Sequence, residues 1–205
     1  MGVSTLTEKD ENLALALGGL DEGMTPLESA AAYATIANDG VYIEPTFYSR
    51  VENEAKKIVF ETKQESRRVF SKETAFIVKD LLTEPVEGSK GTATYCKVNG
   101  MEVCAKTGTT NENYDRWLCG FTNYYAAACW FGYNEKETII PSTARTAGGI
   151  WTAVMREIHK DLEPSKFIVP DDIVTVTICK DSGMTASEKC TNTYQEIFVN
   201  GTVPE

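Results

Sequence analysis

The chain reads as an α+β fold, an antiparallel sheet with helices packed on it. Three observations lead there. Strand-like runs follow one another at 101–107, 116–122 and 126–133, separated by short polar turns. Helix signals recur at 25–38, 71–85 and 148–162. Asn99-Gly100, the strongest short hairpin signal, stands between 92–98 and 101–107. With 205 residues and 42% hydrophobic content, the chain can bury one real core and carry a small appendage.

The elements are justified in turn. Asn12–Leu20 is an apolar stretch ending in Gly18-Gly19. Thr25-Pro26-Leu27-Glu28 is a helix start: a Thr cap, Pro at the first helical position, and Glu placed to complete a capping box. That helix runs to about Asn38, with Gly40 placed for a left-handed close. Its alanines, Ala30, Ala31, Ala34 and Ala37, invite close packing. Val41–Phe47, Tyr48–Glu52 and Lys57–Phe60 are extended, with a turn at Asn53–Lys56. Ser71 caps a second helix that Pro85 ends. In the third helix Ile150, Trp151, Val154, Met155, Ile158 and Leu162 share one face. Pro164 and Pro170 punctuate a linker, and Ile173–Cys179 and Glu196–Val199 are short strands beyond it. This divides the chain into residues 1–163 and a β-rich extension over 164–205.

Composition narrows function. The formal net charge is −10, and no Lys/Arg stripe offers a nucleic-acid footprint. No apolar run approaches 20 residues, so no transmembrane helix is expected in this chain, and residues 1–12 are too polar for a signal peptide. No C-x-x-C pair occurs and His159 is the only histidine, which argues against a metal site; no cofactor is indicated. Cys96, Cys104, Cys119 and Cys129 sit in apolar runs as small buried hydrophobes. Cys179 and Cys190 bracket a polar turn segment, an arrangement open to a disulfide in an oxidising compartment or to two free thiols. His159 is read as a surface residue near a helix C-terminus. Trp117, Trp130 and Phe131 read as core aromatics rather than a sugar platform.

Lys106-Thr107-Gly108, followed by Thr109, carries the chemistry. A strand with these residues offers a cation and hydroxyls to an anion beside it. Gly108 clears space for a ligand backbone, and an exposed Thr109 N–H can donate to a developing oxyanion. The triplet is one of three motifs used by penicillin-recognising acyl transferases. No Ser has a Lys three residues on, or an Asn two residues on. Cys104 is no substitute nucleophile, because the one imidazole lies far along the chain.

The flanks add weight. Leu17–Leu20, Met24–Glu28, Ala32-Tyr33-Ala34, Asn38–Val41, Gly91-Thr92-Ala93, Asp115-Arg116-Trp117, Gly120-Phe121-Thr122 and Trp130–Tyr133 occur in fixed order around Lys106–Thr110. This pattern resembles the later part of the transpeptidase domain of class A penicillin-binding proteins, bifunctional peptidoglycan glycosyltransferase/transpeptidases. The tail with Cys179, Ser182-Gly183, Cys190, Phe198 and Gly201-Thr202 resembles the extension that follows it. The resemblance implies a partial serine β-lactamase-like fold over 1–163, without its nucleophile half. It implies that Lys106, Thr107, Gly108 and Thr109 bind the carboxylate of a peptidoglycan stem peptide or β-lactam, with the Thr109 N–H in the oxyanion hole. Lys106 would also tune protons at a serine outside this chain. Asp115 and Trp117 match supporting positions, and Ala105 departs from the Gly common before the Lys. The implied parent is extracytoplasmic and membrane-anchored. Two alternatives stand beside this reading: a non-catalytic interaction or structural fragment, and a related D,D-carboxypeptidase or β-lactamase-type hydrolase. Without the other half, apolar surface stays uncovered, and a symmetric homodimer of the chain is expected.

Overall fold

The computed structural model describes residues 1–140 and 146–205. Its centre is a three-stranded antiparallel sheet of β5 (Cys104–Thr109), β6 (Asp115–Phe121) and β7 (Ala126–Gly132), in that spatial order. Three small two-stranded pieces surround it: β1 (Val41–Ile43) with β4 (Ser66–Arg68), β2 (Arg50–Glu52) with β3 (Ile58–Glu61), and β8 (Ile173–Cys179) with β9 (Thr193–Val199). Three α-helices pack around the centre: α1 (Pro26–Ala37), α2 (Lys72–Glu87) and α3 (Thr146–His159). The mixture of helices and antiparallel strands is the α+β class read from the sequence.

Helix α1 forms as its first residues dictate. Thr25 Oγ1 accepts the Glu28 N–H at 3.1 Å, and the Glu28 carboxylate accepts the Thr25 N–H at 2.9 Å. Gly40, at φ +82°, closes the other end by donating its N–H to Thr35 O at 2.9 Å. The small buried residues Ala31, Ala32 and Thr35 let this helix lie close on β6 and β7.

Alternation along β5 and β6 builds two cores. Cys104 faces Phe121 across the ladder, and both belong to the cluster made with Tyr33, Ile36 and Phe167. The next pair, Ala105 with Gly120, turns the other way; there Ala105 and Leu118 meet Val86 of α2 and Trp151 and Met155 of α3. Full burial of a side chain such as Phe121 contributes about 1.5–3 kcal/mol. The segment after α3 also docks: Ser165 N–H bonds Gly100 O, and Phe167 N–H bonds Glu102 Oε2 at 2.7 Å.

Five local expectations are corrected. Asn99-Gly100 does form a turn, with Met101 N–H on Val98 O at 3.1 Å and Gly100 at φ +74°, but no hairpin flanks it. Residues 94–96 coil into a 3-10 turn, and among the described residues β5 pairs only with β6, whose seven-residue run offers a longer ladder. Pro85 does not end α2, which continues to Glu87. The acceptor that the proline ring displaces is the carbonyl of Leu81, a residue 66% exposed, so water can satisfy it, while Val86 gains full burial. On α3, Trp151 and Met155 are buried, but Ile150, Val154 and Ile158 face solvent, because Ala147, Trp151, Met155 and His159 form the line against the sheet. His159 is therefore interior: its Nε2 pairs with Thr122 Oγ1 at 2.7 Å and its Nδ1 with Met155 O at 2.6 Å. The extended runs 41–47 and 48–52 shrink to the three-residue β1 and β2, and the apolar Leu13–Leu17 forms an exposed 3-10 turn.

Candidate functional site

Among the described residues β5 is an edge strand, paired with β6 on one side and open on the other. The ladder fixes which way each residue of the triplet points. Thr110 donates its N–H to Asp115 O at 3.3 Å. Antiparallel ladders alternate, so at the neighbouring pair, Thr109 with Arg116, the backbone groups turn away from the partner strand. The Thr109 N–H thus faces the open edge. Thr107 is set the same way, and its carbonyl accepts Lys106 Nζ at 3.0 Å.

Beside this edge lies a cavity of about 340 Å³. Thr107, Gly108 and Thr109 form one wall; Gly91, Thr92, Thr94 and Tyr95, in and before the 3-10 turn, form a second. Ala147 and Gly148, at the start of α3, and Arg116 and Trp117 of β6 complete it. The Thr107 hydroxyl bonds that of Thr92 at 3.0 Å, bridging two walls. Gly108 matters by its size: a Cβ there would sit 3.0 Å from Trp117 Cβ. Gly148 likewise leaves room for the Tyr95 ring, whose hydroxyl a Cβ would strike.

The triplet is split by the pleat. Thr107 and Thr109 share a face with their partners Leu118 and Arg116, whereas Lys106 is paired with Cys119 on the opposite face and is not a wall of the cavity. Asp115 braces the turn between the strands: its carboxylate accepts the Thr110 hydroxyl at 3.0 Å and the Trp130 indole N–H at 2.8 Å. Trp117, Trp130 and Phe131 are half-buried rather than core. Burial pushes the Cys104 thiol up, and its sulfur bonds Lys79 O at 3.2 Å, as expected of a buried filler. Cys179 and Cys190 are free thiols, and Cys190 is the largest of the neighbours that lower Cys179; the Cys190 sulfur also lies 3.6 Å from Ser187 Oγ. Among the described residues no cluster of three or more His, Cys, Asp or Glu suits a metal ion, and no helix is long and apolar enough to cross a membrane.

Sequence reasoning passed over Thr92, Tyr95 and Arg116. Thr92 and Arg116 stand in motifs named from the sequence, but without a role at the site; the Thr109–Arg116 register is what brings Arg116 to the cavity.

Comparison with known proteins divides the chain. Residues 7–140 match the penicillin binding protein transpeptidase domain, and residues 169–205 match the C-terminal domain of penicillin-binding protein 1A. Penicillin-binding protein 1A of Clostridium botulinum (strain Langeland) is 35% identical over 196 residues, covering 93% of this chain and 24% of that protein. Penicillin-binding protein 1F of Bacillus subtilis is 39% identical over 134 residues, 62% of this chain and 18% of that protein. The crystal structure of penicillin-binding protein 1A from Haemophilus influenzae superposes with a TM-score of 0.80 at 25% identity, over 94% of this chain and 34% of that one. The chain spans about a quarter of the length of the first of these relatives.

Proposed function

This chain belongs to the penicillin-binding protein transpeptidase family, and we propose that it supplies the ligand-holding strand half of a peptidoglycan DD-transpeptidase. The reaction is acyl transfer through a covalent serine intermediate that cross-links stem peptides ending in D-Ala-D-Ala, and β-lactams acylate the same serine. The serine lies outside this chain, which has no S-x-x-K or S-x-N, so these 205 residues are inactive alone. In the parent the region is extracytoplasmic and membrane-anchored, and glycosyl transfer belongs to another domain.

One observation carries the reading: Thr107, Gly108 and Thr109 wall a cavity at an open strand edge toward which the Thr109 N–H is turned. A substrate backbone laid along that edge would bring its carbonyl to the Thr109 N–H as negative charge develops. The Thr107 and Thr109 hydroxyls would meet its carboxylate. Lys106 would add positive potential at the edge and tune the proton network of the serine.

Intact-mass measurement tests the assignment. The isolated chain forms no adduct with a β-lactam, whereas the full-length protein is acylated on a serine beyond these residues. Lys106→Ala in the full-length protein slows acylation by about thirtyfold or more, the equivalent of ~2–4 kcal/mol. A stoichiometric adduct on the isolated chain, or an unchanged rate in the variant, overturns the proposal.

A further inference from the structure

The hairpin of β2 and β3 stands apart from the central sheet. Among the described residues the two strands pair only with each other, and every residue of both is exposed. Val51 is 47% and Phe60 50% exposed. A lone two-stranded hairpin is marginal in water, and an open apolar edge invites another strand.

The two edges of the hairpin differ. On β3 the register skips Val59, so that strand carries a bulge, a device that blunts an edge. Strand β2 is regular. Ser49 O accepts the Thr62 N–H at 2.8 Å, and Asn53 donates its N–H to Lys57 O at 3.0 Å, so both residues turn inward to β3. Between them, alternation turns the N–H and C=O of Arg50 and Glu52 outward, onto the open edge. Their side chains share a face, with Arg50 Nε 2.9 Å from Glu52 Oε1, while Val51 points the other way.

The order Arg-Val-Glu is self-complementary about a twofold axis. An antiparallel copy laid against β2, with Val51 opposite the partner's Val51, sets each Arg50 against the partner's Glu52. The outward backbone groups of these residues then meet as hydrogen-bonded pairs, and the valines meet at the closer spacing of a non-hydrogen-bonded pair. Phe60 is the ladder partner of Val51, and its ring lies edge-on to Tyr48 with centroids 5.5 Å apart. Pairing two copies therefore aligns both valines and both phenylalanines on one face, with charges of alternating sign on the other.

We propose that β2 is a self-association edge, occupied by β2 of a second copy of this chain to give one sheet in the order β3-β2-β2-β3. None of its residues walls the cavity, and the inference does not rest on the transpeptidase reading.

Sedimentation equilibrium of the 205-residue chain tests it, at concentrations up to about 1 mM because a short edge pairing is weak. Wild type is in monomer–dimer equilibrium. Arg50→Glu and Glu52→Arg each set like charges opposite one another and weaken the dimer by about tenfold or more. The double variant Arg50→Glu/Glu52→Arg restores the complementary order and recovers the dimer to within severalfold of wild type. Val51→Cys locates the contact: glutathione disulfide, reduced to glutathione as it takes up the electrons of the two introduced thiols, joins the chains through that position, read by peptide mass mapping without reduction. A monomer at every concentration, a dimer that neither single reversal weakens, a double variant no stronger than the singles, or Val51→Cys chains that stay unlinked overturns the inference.

Discussion

The β5–β6–β7 sheet and the β8–β9 ribbon are both antiparallel, yet they are held together by different forces. Helices cover the sheet on both faces, so its stability is apolar burial: Phe121, Leu118 and Ala105 are fully buried. The ribbon buries Ile178 and Cys179 and otherwise leans on hydrogen bonds that it makes within itself. Ala186 N–H bonds Thr177 O at 2.9 Å, Lys180 N–H bonds Asn192 O at 2.9 Å, and Thr185 Oγ1 donates to Pro204 O at 2.6 Å. The cysteines report the contrast. Burial raises Cys96, Cys104, Cys119 and Cys129, with Cys119 pushed up to about 11. Cys179 is lowered instead, chiefly by the thiol of Cys190 and then by the backbone N–H groups of Ser182 and Asp181. Packing raises the thiols of the sheet, whereas Cys179, though itself buried, is lowered by the donors around it.

The largest expected effect follows from those thiols. At pH 8 a thiol with a pKa of about 11 is only ~0.1% ionised. Alkylation in the native state therefore modifies Cys190, the partly exposed thiol of the ribbon, well before Cys119, which is both buried and raised. A glutathione disulfide buffer, taking up the two electrons released, joins Cys179 to Cys190 and to no other cysteine. Uniform labelling of all six thiols, read by peptide mass mapping, breaks the comparison.

A smaller effect tests the burial side. Phe121→Ala removes a ring packed edge-to-face with Tyr33 at 6.4 Å and with Phe167 at 5.6 Å, and costs about 3–5 kcal/mol. A truncation in the ribbon, Ile197→Ala, touches a half-buried side chain and costs clearly less. Urea unfolding of the two variants measures the difference; equal losses would mean that the ribbon too is held by its core.

The smallest effect sharpens the role of hydrogen bonds. Glu28 is lowered from 4.5 to about 2, first by the Thr25 N–H, then by the N–H and hydroxyl of Ser4. A carboxylate lowered on folding adds stability that is fully present above about pH 4.5 and is lost as pH falls toward 2. Wild type therefore loses stability across that window, and Glu28→Gln flattens this part of the pH profile. Identical acid-unfolding curves for the two proteins would assign acid sensitivity elsewhere.

What could be read in the sequence was what is decided locally. The Thr25–Glu28 box, the close at Gly40 and the strands around Thr107 each depend on a few neighbouring residues. Failures came where a distant partner decides. Asn99-Gly100 made its turn, but 92–98 lost the pairing to β6. The apolar pattern of α3 located a helix, whereas which line is buried depends on the sheet beneath it. That is why His159 proved interior and Ile150 exposed. At the site, Thr107 to Thr109 were legible as a motif. Arg116 was not, because its place beside Thr109 comes from ladder register, which no local spacing encodes.

Phe167 gives the chain a mechanical asymmetry. It is 8% exposed, seated on Phe121 with Lys79 Nζ 5.0 Å from its ring centre, and pinned through its N–H by Glu102. A protease that nicks the exposed Ile168-Val169 stretch would shed the ribbon and leave this plug in place. A cut a few residues earlier would draw the plug out and open the cluster behind β5. Tension applied at the C-terminus would unzip the ribbon's ladder and then meet Phe167, so the strand edge beyond it feels no strain until that anchor yields.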